Sequence, residues 1–231
     1  MFRAVPNAYT PAAMTQQRQI GRPAYLAEAD EPLVPIDPRP RCWWAGGANS
    51  PRPDRRMVEY HDNEWGTAVH DDQELFERLA LESFQAGLSW STILNKREAF
   101  RAAFRGFDPT RVAAFGAADK ARLMADTGIV RNAAKIDATI GNAAALRAIQ
   151  AGFGSFDAYL DARLPGPVPR LPRTAQAGDI PAATPAAEAL SRDLKARGFR
   201  FVGPTIVYAF MQSVGLVDDH LPTCFRYRGR G

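Results

Sequence analysis

The sequence predicts an all-α protein. Three observations carry that prediction. Apolar residues recur at helical spacing from about residue 66 onward. Residues that start and stop helices bracket these stretches, and no convincing run of strand-like alternation occurs. The element starts and stops follow in order. Residues 1–40 repeat proline (Pro6, Pro11, Pro23, Pro32, Pro35, Pro38, Pro40) without any period and with balanced charge. They read as an irregular, mostly disordered extension before a domain spanning 41–231. Asp71-Asp72-Gln73-Glu74 reads as a capping box for a helix carrying Leu75, Phe76 and Leu79, running to about Ala86 and stopping at Gly87. A second helix starts near Ser89 and carries Ile93, Leu94, Phe100 and Phe104. Asp108-Pro109 is an N-cap with proline at the first helical position, opening a short helix through Val112 and Phe115. Ala117 to about Asp126 is another, with Gly128 just past its end. Arg131–Ile149 is long and helical with a break near Gly152, and Phe156–Leu160 is a short piece. Residues 166–181 hold four prolines and read as a loop. Thr184 caps a helix that has Pro185 at its first position and ends at Gly198, and Gly203–Val214 is the last long helix.

Composition narrows the function classes. With 231 residues the chain spans one or two domains with a sizeable core. At 46% hydrophobic and 23% charged it is neither disordered throughout nor collagen-like. No run of 18 apolar residues occurs, so no membrane span is expected. Two cysteines cannot make a disulfide scaffold, and residues 1–21 show no signal-peptide core, so a cytoplasmic protein is expected. The net charge of +4 is weak evidence for a nucleic-acid partner, but its placement says more. Lys195, Arg197, Arg200, Arg226, Arg228 and Arg230 face only Asp218 and Asp219 in the last stretch of the chain. A solvated basic tail would look the same.

Glu82 is the most informative single residue. It shares the helical face of Leu75, Leu79 and Ala86, where a carboxylate is costly unless paired or hydrogen-bonded. One reading is a buried glutamate satisfied by an arginine or a helix N-terminus. The other is a pocket carboxylate that recognises a ligand. Tyr60, Trp65 and Trp90 flank this helix in sequence, and aromatics with one acid suit a pocket that stacks a flat base.

Cys42, His61, His220 and Cys224 make a Cys2His2 set suited to tetrahedral zinc, although their spacing is not that of a zinc finger. Unrelated buried thiols and surface histidines remain the alternative. If the four bind one ion, no coordination position is left for water. Such a zinc is structural and ties the start of the domain to its end. His70, beside the capping box, reads as structural. Gly198–Gly203 bracket an apolar turn, and a helix opens right after it. That arrangement aims backbone N–H groups at an anion such as a DNA phosphate; an ordinary tight turn is the alternative.

Together these residues resemble the Tag-type 3-methyladenine DNA glycosylase I family of the helix–hairpin–helix glycosylase superfamily. The matching runs are Tyr60–Gly66 (YHDNEWG), Glu82–Trp90 (ESFQAGLSW), Gly128–Arg131, Lys135-Ile136, Ile140–Ala143, Ala189–Ser191, Arg197–Gly203 and Gly215–His220 with Cys224. The match covers about residues 41–227. The resemblance implies structural Zn2+ on Cys42, His61, His220 and Cys224, and a base-recognising carboxylate at Glu82. It also implies pocket aromatics at Tyr60, Trp65 and Trp90, and a DNA-backbone hairpin at Phe199–Thr205, with Arg200, Gly203 and Thr205 as contacts.

Three departures stand out: a Gly/Pro/Arg-rich insertion around Gly46–Arg56, Met57 in place of a pocket tyrosine, and Asp218 in place of asparagine. Asp218 falls where the wider superfamily keeps its catalytic aspartate, so it is a candidate for electrostatic catalysis. The implied activity is hydrolytic release of 3-methyladenine from alkylated double-stranded DNA. Pro204 and Thr205 occupy the turn where bifunctional relatives carry a lysine nucleophile, so a monofunctional enzyme leaving an abasic site is expected. No membrane partner is expected, and the protein is expected to be a monomer. The alternatives are a DNA-binding module that has lost catalysis and a zinc hydrolase. No HExxH motif supports the second.

Overall fold

Short polar side chains start most of the helices. Asp54, Asp71, Ser89, Asp108, Asn132, Ser155 and Thr184 each accept an N–H from the first turn of the helix that follows. The computed structural model describes residues 38–46 and 54–229. Among these lie α1 (Arg55–Asn63), α2 (Asp72–Gln85), α3 (Trp90–Ala103), α4 (Pro109–Ala113), α5 (Ala117–Ala125), α6 (Ala133–Phe153), α7 (Phe156–Arg163), α8 (Pro185–Ala196) and α9 (Pro204–Ser213). The described residues form no strand; the one β pairing among them is a parallel bridge between Arg170 and Asp218. Of the expected extension only Pro38–Pro40 fall among the described residues, and of the insertion residues 47–53 lie outside them.

Four details differ from the sequence expectation. Helix α1 was not anticipated, because the Pro/Arg-rich stretch before it hides its cap at Asp54. Glu74 does not complete a capping box: Asp71 accepts its N–H, but its carboxylate pairs with Arg78 at 2.9 Å. Helix α6 passes through Gly152 and ends at Gly154. Gly128 is no left-handed cap. It lets the chain pass close to α3, since a Cβ there would come within 2.9 Å of the Ala99 Cβ.

Helix α2 lies at the centre, with α3, α6, α7 and α9 packed around it. Every residue from Leu75 to Phe84 is buried, so α2 has no solvent face along this stretch rather than a single apolar stripe. Its polar residues must therefore find partners inside the protein. Glu77 pairs with Arg101 at 2.8 Å, and Arg78 pairs with Glu64 at 2.7 Å. Its C-terminal end is closed by Lys135 of α6, whose ammonium donates to the carbonyls of Phe84 and Ala86 at 2.8 and 2.6 Å. A cation there satisfies the last carbonyls and opposes the negative end of the helix dipole. A second cluster, containing Cys42, Tyr60, Trp65, Leu94, Leu221 and Cys224, joins both ends of the described chain.

Candidate active site and metal centre

Glu82 is 5% exposed, and no hydrogen bond or ion pair reaches its carboxylate among the described residues. Burial pushes its pKa up to about 8, although the positive charge of Arg78 one turn earlier opposes the shift. The first of the two sequence readings, a glutamate satisfied by an arginine or a helix N-terminus, finds no such partner among the described residues: Arg78 hydrogen-bonds Glu64 and Glu74 instead.

The carboxylate faces a cavity of about 370 Å³. Tyr60, Trp65, Trp90 and Met57 line it, as the sequence led us to expect, together with Trp43, Trp44, Gln85, Ile180 and Gln212. The rings meet edge-on or tilted: Tyr60 and Trp90 at 5.1 Å, Trp44 and Trp65 at 5.0 Å. Burial, then the charge of Glu82, raises the Tyr60 hydroxyl well above its ordinary pKa, so it stays a proton donor. The Trp90 indole N–H is buried and has no hydrogen-bond partner among the described residues. Sequence reasoning missed Trp43, Trp44 and Gln212. Trp44 was detectable only as an aromatic two residues from a candidate ligand; Gln212 carried no signal.

Behind the aromatic wall stand the four predicted ligands. Their donor atoms lie within 4.8 Å of one another, and all four residues are buried. The His61 Nε2 is 3.3 Å from the Cys224 sulfur, and the His220 Nδ1 is 3.7 and 3.6 Å from the sulfurs of Cys42 and Cys224. Tetrahedral zinc, with bonds of about 2.3 Å to sulfur and 2.0 Å to nitrogen, sets S···N edges of roughly 3.5 Å. The far ring nitrogens are already engaged. His61 Nδ1–H donates to Asp62 at 2.8 Å, and His220 Nε2–H donates to the Trp65 carbonyl at 3.3 Å. Acceptor groups in those places fix which nitrogen is left for a metal. Burial works against the charge on Asp62, but hydrogen bonds from Arg41 and His61 outweigh it and hold the carboxyl below its ordinary range. Gly66 lets the chain turn over this centre: its φ is +72°, and a Cβ there would stand 3.0 Å from His220 Nε2. These four residues can hold a metal ion. The pocket and the centre share rings, since Trp44 packs on His61 at 5.3 Å and Trp65 on His220 at 4.7 Å.

Asp218 is not brought to the pocket wall. It accepts the His220 N–H at 3.3 Å and faces Arg170 at 3.8 Å, beside the parallel bridge. The turn between α8 and α9 is pinned on three sides: Ser83 and Ser191 donate to the carbonyls of Phe201 and Val202, and Asn142 pairs with both backbone groups of Arg200. Phe201 sits at φ +54°, strained for a non-glycine residue, and its ring is exposed. No side chain caps α9, so the backbone of Gly203, Pro204 and Thr205 opens outward at a helix N-terminus. His70 is exposed and bonds Asp157 at 3.1 Å, tying the segment before α2 to α7.

A family model described as methyladenine glycosylase matches residues 50–227. The chain belongs to the methyladenine glycosylase family. The chain is 44% identical over 189 residues to DNA-3-methyladenine glycosylase 1 of Escherichia coli K12, covering 82% of this chain and 97% of that protein. A crystal structure of 3-methyladenine DNA glycosylase I superposes with a TM-score of 0.75 at 45% identity, covering 81% of this chain and 99% of the other. The 3-methyladenine DNA glycosylase I of Staphylococcus aureus, solved to explain 3-methyladenine recognition, gives 0.74 at 38% identity, covering 78% and 95%. The methyladenine glycosylase fold thus accounts for nearly the whole described chain.

The unpaired carboxylate has a consequence for stability. Its folded pKa, about 8, lies above the ordinary 4.5, so ionising Glu82 opposes folding, and the cost grows as pH rises between those values. Glu82→Gln is expected to match the parent protein near pH 4.5 and to be more stable at pH 8.5 by roughly 3 to 5 kcal/mol. Urea unfolding of both proteins at the two pH values checks this; an equal difference at both would contradict the account.

Proposed function

We propose that this chain is a DNA glycosylase of base-excision repair that hydrolyses the N-glycosidic bond of 3-methyladenine in alkylated double-stranded DNA. The observation that carries this reading is the single buried, unpaired carboxylate in an aromatic cavity. Methylation at N3 makes adenine cationic, so the base is already a good leaving group. The enzyme's remaining tasks are to extract the nucleotide, recognise the base and admit water. Extraction costs a few kcal/mol of unstacking, which stacking on Tyr60, Trp65 and Trp90 partly offsets. The cavity of about 370 Å³ is within the usual range of roughly 300–1,000 Å³ for small-ligand sites.

Glu82 supplies selectivity. A cationic base restores to the carboxylate the partner that the protein withholds, whereas neutral adenine offers only hydrogen bonds. Ionised Glu82 thus binds the damaged base more tightly than the normal one. Met57 lines the cavity without closing it, so nothing about its presence favours a degenerate binding module. The uncapped start of α9, with Gly203 and Thr205, and the exposed Arg200 are the proposed contacts to DNA phosphates. The water attacks the sugar carbon while the base departs with the bond electrons. Without a lysine at Pro204 or Thr205 there is no Schiff base, and the product is an abasic site in an uncut strand. We read residues 41–231 as the catalytic domain, acting as a cytoplasmic monomer.

Cys42, His61, His220 and Cys224 would hold zinc. Four protein ligands leave no position open for water, so the ion's contribution is structural. It would join the segment before α1 to the one after α9, behind Trp44 and Trp65.

Chromatography of bases released from methylated duplex DNA tests the activity. The parent protein is expected to release 3-methyladenine without strand cleavage until heat or base is added. Glu82→Gln is expected to bind DNA but to release the base at least tenfold more slowly. Undiminished release would remove Glu82 from the mechanism. In the same assay, a slower Asp218→Asn would support electrostatic catalysis by Asp218, and an unchanged rate would confine it to positioning the His220 loop. Zinc is tested separately. About one ion per chain is expected on purification, with a lower thermal midpoint after chelation and recovery on adding Zn2+. Full stability without metal would overturn the structural role.

A further inference from the structure

Gln212, on the inner side of α9, lines the cavity. Its amide is not free to rotate. The side-chain NH2 donates to Asp219 Oδ2 at 2.8 Å, and a carboxylate only accepts, so the nitrogen must face Asp219. Asp219 is itself 5% exposed and held by the Tyr208 hydroxyl at 2.5 Å. Burial, then the hydrogen bond to Asp219, raises the Tyr208 hydroxyl above its ordinary pKa, which keeps it a donor. The backbone adds a further anchor, since the Gln212 carbonyl accepts the Gly66 N–H at 3.0 Å beside Trp65. The Gln212 Oε1 has no protein partner among the described residues, although the residue is only partly exposed.

We propose that Gln212, locked by Asp219, is a specificity-determining hydrogen-bond acceptor that selects a purine carrying an amino group at position 6 over one carrying a carbonyl there. Adenine presents an NH2 donor where guanine presents an oxygen acceptor. An Oε1 that cannot turn away accepts from the first and repels the second. Were Asp219 absent, the amide could flip and offer its NH2 instead, and the preference would fade. Asp219 is therefore a positioning residue. The proposal rests on the glycosylase reading and refines it: among N3-methylated purines, 3-methyladenine is preferred to 3-methylguanine for a stated reason.

The test measures 3-methyladenine and 3-methylguanine released from one methylated DNA duplex, with Gln212→Met and Asp219→Asn beside the parent protein. Binding of the two free bases is followed in parallel by tryptophan fluorescence. The parent is expected to favour 3-methyladenine in both measurements. Gln212→Met is expected to lose about tenfold on 3-methyladenine while 3-methylguanine changes less than twofold. Asp219→Asn is expected to narrow the ratio in the same direction, with unchanged metal content and thermal midpoint. A general structural defect would slow both bases alike. If Asp219→Asn does not fold, Gln212→Met alone decides. An adenine-to-guanine ratio unchanged in Gln212→Met overturns the proposal. If the parent releases no base, the glycosylase reading fails, and the free-base affinities alone then decide whether Gln212 discriminates.

Discussion

A buried carboxylate without a partner is the constraint around which this protein is organised. Charges enter a protein interior at a cost of several kcal/mol unless something opposite meets them. Along α2 that rule is followed at Glu77 and at Arg78 and broken at Glu82. Nothing about helix geometry demands the exception, because Arg78 lies one turn away and spends its hydrogen bonds on Glu64 and Glu74. On the proposed function, the unpartnered carboxyl, held largely protonated by its burial, is an affinity in reserve for a cation that would ionise it. The rings of Tyr60, Trp65 and Trp90 add a requirement that this cation be flat.

The surrounding architecture keeps that arrangement from relaxing. Lys135 closes the end of α2 just beyond Glu82. On the other side of the cavity, the aromatic wall is continuous with the Cys2His2 centre: Trp44 and Trp65 touch the cavity on one side and the ligand histidines on the other. Cys42 precedes Trp43 and Trp44, while His61 neighbours Tyr60 in α1. A metal that fixes the ligands thereby also fixes the pocket residues next to them in the chain. With a metal bound, stability and recognition would share one set of contacts, since the Cys2His2 cluster and the cavity have Trp44 and Trp65 in common.

Much of this was legible in the sequence, for identifiable reasons. Caps at Asp71, Ser89, Asp108 and Thr184 mark helix starts through local hydrogen bonding, which does not depend on the rest of the fold. Glu82 was conspicuous because its position conflicts with its apolar neighbours. The four ligands stood out as scarce residue types. What stayed hidden depends on tertiary placement. Helix α1 follows a proline-rich stretch that masks its start. The roles of Trp44 and Gln212 arise from faces brought together only by folding. The direction of the Gln212 amide is set by Asp219, seven residues on. The sequence marks Asp218 by its position after the turn, but its neighbours, the His220 N–H and Arg170, come from the fold. Gly152 does not break α6, because a single glycine within a helix is tolerated at modest cost; the helix ends instead at Gly154, whose φ is +88°.

The central claim is that Glu82 waits unpaired and becomes ionised against a cationic base. The most direct measurement is the carboxyl carbon shift of Glu82 by NMR across a pH titration, in the free protein and with duplex DNA that holds 3-methyladenine on a non-hydrolysable sugar, where the base keeps its positive charge. The account predicts a midpoint near 8 in the free protein and a fall of more than one pH unit on binding the base. An ordinary carboxylate midpoint near 4.5 in the free protein, unmoved by the base, would contradict it.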